Sequence, residues 1–328
     1  MMSDFEVRRR IKDPLAALPF EIGTELLSAL RNAIELGIPE FFIDVATWAQ
    51  SVLVFRDVAP SALALAIDAM RSQLPAYVPV ADIEAARKIL GAAKRELGVV
   101  RLAEASPIDE TTVNGAIARR YLTAILEGEE AQAAREVLLA VAGGMKTLAV
   151  YAEIFTPALQ ETGRLWQRNE ISVSQEHIVT AATERLMAQL VDLCSTQAHR
   201  DLSVVTATLG TSQHQVGTRM VSDAFSLCGW QSSYLGATVP VEDVLAYVDS
   251  VSVDVLTLSA TLARDLAPIQ ALIAELETLP LAPLVIVGGR AFSLHPSLWR
   301  KVGADGYAHT PLTAVALANE LVKHNDAL

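Results

Sequence analysis

Cysteine is nearly absent: Cys194 and Cys228 are the two in 328 residues. One pair is too few for a disulfide framework, so a reducing cytoplasm is the compartment expected. Long hydrophobic runs are missing too. Mean hydropathy is high, at +0.33, yet no apolar run reaches the roughly 18 residues of a spanning helix. The best stretch, Val137 to Phe155, is broken by Gly143, Gly144, Lys146 and Glu153. The opening residues, MMSDFEVRRRIKDP, hold no apolar segment of the kind a secretory signal needs. Basic charge is scarce, with 26 Lys and Arg against 38 Asp and Glu and a formal net charge of −12. Nucleic-acid binding relies on cations to displace counterions from phosphates. The one basic cluster, Arg8 to Arg10 with Lys12, has no interleaved aromatics and reads as a solvated tail. Neither a nucleic acid nor a membrane is expected as a partner.

What is present excludes disorder, because 52% of the residues are hydrophobic. The length suits two domains or three small ones, and the texture changes twice. Residues 1–106 read as an all-α domain. Thr24 to Leu36 carries Leu26, Leu27, Leu30, Ala33 and Ile34 at helical spacing. Gly37-Ile-Pro39 ends that helix, and further helices follow through Phe41 to Val54, Pro60 to Leu74 and Val80 to Leu97. Residues 107–199 read as a four-helix bundle: Thr111 to Leu126, Glu130 to Ala142, Lys146 to Arg168 and Val173 to Ala198. The last of these opens with Ser172-Val-Ser-Gln175, a capping box that fixes its start.

From residue 200 to 328 short β-rich runs alternate with helical ones. The runs are Leu202 to Leu209, Gln231 to Gly236, Val253 to Leu258, Leu284 to Val287 and Gly306 to His309. The helical segments are Gln215 to Leu227, Val241 to Ser250, Leu266 to Leu279, Pro296 to Val302 and Leu312 to Lys323. Near-continuous apolar strands alternating with helices imply a parallel sheet covered on both faces, hence a doubly wound, flavodoxin-like α/β domain. Such domains bind ligands at the C-terminal ends of their strands. Here those ends read TATLGTSQHQVG with His214 and Gly217, VLTLSAT with Ser259 and Thr261, VIVGGR with Gly288, Gly289 and Arg290, and GYAHTP with His309 and Thr310. Glycines on that rim let backbone approach a bulky ligand, and a loop histidine can offer a neutral imidazole to a metal. The loop lacks the three-glycine spacing that cradles a dinucleotide pyrophosphate.

His214-x-x-Gly217, Ser259 and Gly288-Gly289 together resemble the DxHxxG, SxL and GG pattern of base-off, His-on cobalamin-binding domains. Gly217-Thr-Arg-Met-Val, Gly229-Trp, Tyr234-Leu-Gly-Ala and Pro240 are similar to the same family, over about residues 110 to 325. The resemblance implies a Rossmann-like domain, His214 as lower axial cobalt ligand, and a cofactor held by Ser212, Gln213, Gln215, Val216, Gly217, Ser259, Thr261, Gly288, Gly289, Arg290, His309 and Thr310. Two positions depart from the pattern. Ser212 stands where the family has the Asp that bonds the distal imidazole nitrogen, and Thr261 replaces the Leu of SxL.

Trp166 is followed after nine residues by Glu176-His177. That W-x9-EH spacing resembles CarH-type light sensors, and implies adenosylcobalamin as chromophore, with Trp166 against the adenosyl group and Glu176 and His177 on adenosyl or corrin. Photolysis of the Co–C bond would then change the packing of the bundle cap and a light-modulated self-association as dimer or tetramer. Gln167 replaces a histidine that some members carry after the tryptophan. Residues 1 to 104 show no basic recognition helix and are similar, more weakly, to the globin-like module of photocobilins, light sensors that pair cobalamin with a bilin. That implies biliverdin as a second chromophore. Trp48, Phe41, Phe42, Phe55, Tyr77, Arg71 and Arg87 are candidate lining residues, and with no cysteine in this domain thioether attachment is not expected. The expected function is a cytoplasmic light-sensing binding module, not an enzyme. The alternatives are a corrinoid methyl carrier of a methyltransferase system and a ligand-free scaffold. A mutase is disfavoured, since about 100 residues remain where a substrate barrel takes about 250.

Overall fold

The switch of period near residue 200 is visible directly in a computed structural model that describes residues 18–97, 105–194, 201–210, 213–295 and 297–325. The N-terminal part is helical throughout its described residues: α1 Phe20–Leu36, α2 Glu40–Val54, α3 Pro60–Tyr77 and α4 Ile83–Glu96. Gly37 ends α1 in the left-handed conformation, φ 66°, and its N–H caps the Ala33 and Ile34 carbonyls.

A second helical group follows. It comprises α5 Val113–Leu126, α6 Glu130–Ala142, α7 Thr147–Val150, α8 Thr156–Gln167 and α9 Val173–Asp192. The single helix expected over Lys146 to Arg168 is interrupted by a π-helical turn, Tyr151–Phe155. Pro157 explains the break. It has no N–H for the Glu153 carbonyl, and its ring crowds that carbonyl, so the turn widens. The Thr156 hydroxyl donates to the Tyr151 carbonyl at 2.8 Å within the widened turn. The capping box forms: the Gln175 amide donates to Ser172 Oγ at 3.2 Å, and Gln175 Oε1 accepts from the Ser172 amide at 2.9 Å.

The C-terminal part is β1 Ser203–Leu209, α10 Val216–Leu227, β2 Gln231–Val239, α11 Val241–Val251, β3 Val255–Ser259, α12 Leu266–Leu276, β4 Leu284–Gly288, α13 Arg290–Ser293, α14 Leu298–Lys301, β5 Gly306–Ala308 and α15 Pro311–Asn325. The strands form one parallel sheet in the order β2-β1-β3-β4-β5. That order is flavodoxin-like. β2 runs past the expected end at Gly236 because Gly236, at φ 87°, absorbs a register shift against β1 and lets pairing resume at Val239.

Burial divides along the sheet's two faces. Val204, Val255 and Ile286 pack with Phe225 and Trp230 on one side. Val205, Leu256, Leu258 and Val285 face the other, in a core that continues through α11 and α12 to Leu26, Phe41 and Phe42 of the N-terminal helices. The N-terminal helices and the sheet domain therefore share one core. The α5–α9 group has its own, built on Tyr121, Val137, Phe155 and Met187, with Met220 of α10 inserted.

One buried ionic knot belongs to that second core. Glu161, at 1% side-chain exposure, takes both Nε and NH2 of Arg164 at 2.7 and 2.9 Å and Arg119 at 3.3 Å. Burial pushes its carboxyl up, but the Arg164 hydrogen bonds and charge, with smaller help from Ser106 and Arg119, outweigh it and hold the group below the usual range. A depressed carboxylate stabilises the fold above its unfolded pKa, near 4.3, and that stabilisation is lost as pH falls through the folded value. Glu161→Gln is expected to cost about 1.5–3 kcal/mol at pH 7. It should also flatten the fall of stability below about pH 4, as read by denaturant titration at several pH values.

Candidate functional site

The C-terminal strand ends meet the second helical group at a cavity of about 320 Å³. Thr156 and Gln160 of α8 line one side; Gly217, Ser259, Gly288, Gly289, His309 and Thr310 line the other. Its floor includes Thr206 and Thr257, whose hydroxyls pair at 2.8 Å between β1 and β3. These two threonines were missed by the sequence reading. Their signal is polarity at alternate positions of otherwise apolar strands: Thr206 and Thr208 in β1, Thr257 and Ser259 in β3.

The glycines are there for space. A Cβ on Gly288 would stand 2.9 Å from the Ala308 carbonyl oxygen. Gly289, at φ 92°, would bring one to 2.4 Å from the Ala260 carbonyl oxygen and 2.9 Å from Ser259 Oγ. Gly217 differs, because nothing lies within 4 Å of its missing Cβ and the first turn of α10 faces open space. The Tyr307 and His309 rings meet at a tilt of 58° with centres 4.4 Å apart, and the Tyr307 hydroxyl lies 3.0 Å from His309 Nδ1. Thr310 caps α15 by exchanging hydrogen bonds with Thr313.

The loop from β1 to α10 carries His214 with its side chain exposed, beside Gln213, also exposed. Ser212 lies outside the described residues. Gln215 ties the loop to the second helical group through Glu184, 3.0 Å from its Nε2, and Val216 packs against that group's core. Tyr151 of the π turn donates to Asp223 of α10 at 2.8 Å, a second bond between the two parts. Burial pushes the Asp223 carboxyl up, against the Tyr151 bond and the Arg219 charge. Thr261 has a structural task as well: its amide donates to Asp265 at 3.2 Å.

Of the expected site residues, Gln213, His214, Gln215, Val216, Thr261 and Arg290 do not line the cavity, and neither do Trp166, Glu176 and His177. Trp166 closes α8, and Glu176 and His177 lie in the first turn of α9, so all three flank one interhelical turn. Glu176 bonds His177 and Thr180, and His177 is two-thirds exposed. Trp166 is engaged by the N-terminal helices. Trp48 of α2 stacks on it with centroids 6.4 Å apart, and the Arg56 guanidinium lies 4.9 Å above its ring. Arg56 also donates to the Trp166 and Gln167 carbonyls, and Gln167 bonds Ser51. Arg290 is likewise committed, forming a two-pronged ion pair with Asp44 of α2 at 2.7 and 2.8 Å. Of the residues expected to line a bilin slot, Phe41 and Phe42 are buried in the N-terminal core with Trp48 and Tyr77 packed against it, Phe55 lies under Arg168, and the Tyr77 hydroxyl bonds Gln73.

An open slot between two domains, glycines at its lip, buried hydroxyls at its floor and an exposed histidine on the adjoining loop suit a large, flat, metal-bearing cofactor. The class of protein follows from two family matches: a B12 binding domain over residues 202–316, and a second B12 binding domain over residues 117–191. This is a cobalamin-binding protein, with a helical N-terminal region and a parallel α/β B12-binding domain at its C-terminal end. Residues 18–97 lie outside both matches.

Among particular proteins, the chain is 24% identical over 185 residues to the HTH-type transcriptional repressor CarH of Myxococcus xanthus, across 56% of this chain and 61% of that one. It is 25% identical over 209 residues to a corrinoid protein of Desulfitobacterium hafniense strain Y51, across 61% of this chain and 94% of that one. The solved monomethylamine corrinoid protein of Methanosarcina barkeri shares the fold: TM-score 0.55 at 22% identity, over 64% of this chain and all of that one. Among the described residues no helix is long and apolar enough to cross a membrane.

Proposed function

We propose that this protein is a light-responsive sensor, not an enzyme, that holds adenosylcobalamin base-off with His214 beneath the cobalt and the α5–α9 group as a cap above it. The observation that carries the reading is the engagement of Trp166 by Trp48 and Arg56. When bound, the cofactor supplies a Co–C bond that light can break. The chain supplies the rest. His214 would hold the metal, the cavity below Ser259 and Gly288 would take the cofactor's tail, and Trp166, with Glu176 and His177, would pack on the upper group. A shift of Trp166 changes its contacts with α2, so the state of the upper side is passed to the N-terminal helices as a population shift. Self-association as a dimer or tetramer is the output this reading expects, without nucleic acid or membrane.

Loading with adenosylcobalamin, then comparing spectrum and hydrodynamic size before and after green light, tests the sensor reading. A change in both supports it; no change in either defeats it. An additional red band in protein purified with its native pigments would bring in biliverdin. Trp48→Ala should weaken cobalamin binding by no more than about tenfold, since a stacked pair contributes about 0.5–1.5 kcal/mol. It should reduce the light-driven size change. An unchanged size response would remove Trp48 from the relay.

One observation favours a second reading, a corrinoid methyl carrier: the matched segment covers almost all of the Desulfitobacterium corrinoid protein. Tighter binding of methylcobalamin than of adenosylcobalamin, with no light response, would decide for it.

A further inference from the structure

Asp265 is a buried acid that the fold uses only in part. It ends the 3-10 turn Ala263–Asp265 and is 1% exposed. Its Oδ2 accepts from the Thr261 and Leu262 amides at 3.2 and 3.0 Å, fixing the loop that leaves β3. Its Oδ1 is buried with no hydrogen-bond partner among the described residues. Buried carboxylate oxygens are seldom left so, and an exception asks what donor the site is built to receive.

The neighbouring cation does not answer. Arg264 bonds Glu25 of α1, and its buried Nε makes no hydrogen bond to Oδ1. The other candidate is on the next strand. β1 and β3 are adjacent, and a Cβ on Gly210 would stand 3.5 Å from the Pro268 ring at the start of α12. The loop that carries His214 therefore leaves β1 alongside the turn that carries Asp265. The electrostatics agree. Burial pushes the Asp265 carboxyl up, and it is opposed by the Leu262 amide, the Arg264 charge, the Thr261 amide and the charge of His214.

We propose that Asp265 is the positioning residue for His214, its Oδ1 accepting the N–H of the ring nitrogen turned away from the cobalt. This rests on His214 being the lower ligand. An imidazole that binds a metal through one nitrogen donates through the other, and a carboxylate acceptor fixes tautomer and ring orientation and raises basicity. Ser212, two residues before His214 in the chain, carries no charge to do this. Asp265 supplies the charge from the neighbouring loop. Because the Arg264–Glu25 pair ties the same turn to α1, the N-terminal helices hold the acceptor in place.

Asp265→Asn tests it. The amide oxygen can keep the two backbone bonds, while the NH2 group puts a donor in place of Oδ1. Cobalamin Kd should rise about 10–100-fold. Nitrogen splitting in the cob(II)alamin paramagnetic spectrum should weaken, and melting of the cofactor-free protein should stay near wild type. Unchanged affinity and splitting in this variant, with both lost in His214→Ala, would overturn the role of Asp265 alone. No loss in either variant would sink the ligation reading beneath it. Should Asp265→Asn melt early, nitrogen NMR of the wild-type protein loaded with diamagnetic cobalamin and labelled at histidine still decides. A His214 ring N–H protected from exchange with water upholds the bond, and one in free exchange contradicts it.

Discussion

His214→Ala is expected to abolish His-on binding and weaken cobalamin affinity by more than the about 10–100-fold typical of losing a ligand's supporting partner. The structural cost should be small. His214 is exposed, on a loop, and outside the three buried cores, and exposed substitutions away from special features stay within about 0.5 kcal/mol. Affinity and stability should thus separate cleanly. Equilibrium binding with dicyanocobalamin-free adenosylcobalamin, beside a denaturant melt of the apo-protein, reads both. A variant that binds as tightly as wild type would remove the histidine from the site.

Gly289→Ala should do the reverse and damage the fold first. The residue sits at φ 92° and ψ 170°, a region essentially reserved for glycine. The strain costs about 1–3 kcal/mol. The new Cβ would also press on the Ala260 carbonyl oxygen, itself the acceptor of the Ala291 amide at 3.1 Å. Overpacking of this kind adds about 1–3 kcal/mol. The apo-protein should therefore lose a large part of the 5–15 kcal/mol or so that holds a typical domain folded. Gly217→Ala is the matched control. Its Cβ would meet nothing within 4 Å, and Ala in the first turn of a helix gains at most the about 0.5–1 kcal/mol over Gly seen mid-helix. The apo-protein should be as stable or slightly more so, while cobalamin binds more weakly because a methyl group stands in the approach. Equal binding by Gly217→Ala would show that the first turn of α10 is not a contact surface.

Much of the architecture is legible in local pattern. Strand–helix alternation after residue 200 yields five parallel strands, and Ser172-x-x-Gln175 marks the start of α9 because a capping box is a contact between near neighbours. What escapes is long-range. Nothing within α2 announces that Trp48 stacks on a tryptophan over a hundred residues away, or that Asp44 takes Arg290 from the proposed cofactor rim. Apolar spacing tells which face is buried, not what it meets. The π turn is hidden by the unbroken apolar spacing from Lys146 to Arg168, although the missing N–H of Pro157 is a local signal. Of the residues named on the strand ends, Gly217, Ser259, Gly288, Gly289, His309 and Thr310 come together around the cavity, because doubly wound topology itself gathers those ends, whereas His214, Thr261 and Arg290 do not line it. Asp265 closes the 3-10 turn that follows β3, where no period points to it.

The central claim is that a protein imidazole, and not the cofactor's own base, holds the cobalt. It is tested most directly by loading cob(II)alamin into protein grown with nitrogen-15 histidine and recording its electron paramagnetic resonance. A nitrogen-15 nucleus splits the cobalt lines into doublets, and the natural nitrogen of benzimidazole splits them into triplets. The account predicts doublets that vanish in His214→Ala; triplets in the labelled protein would contradict it.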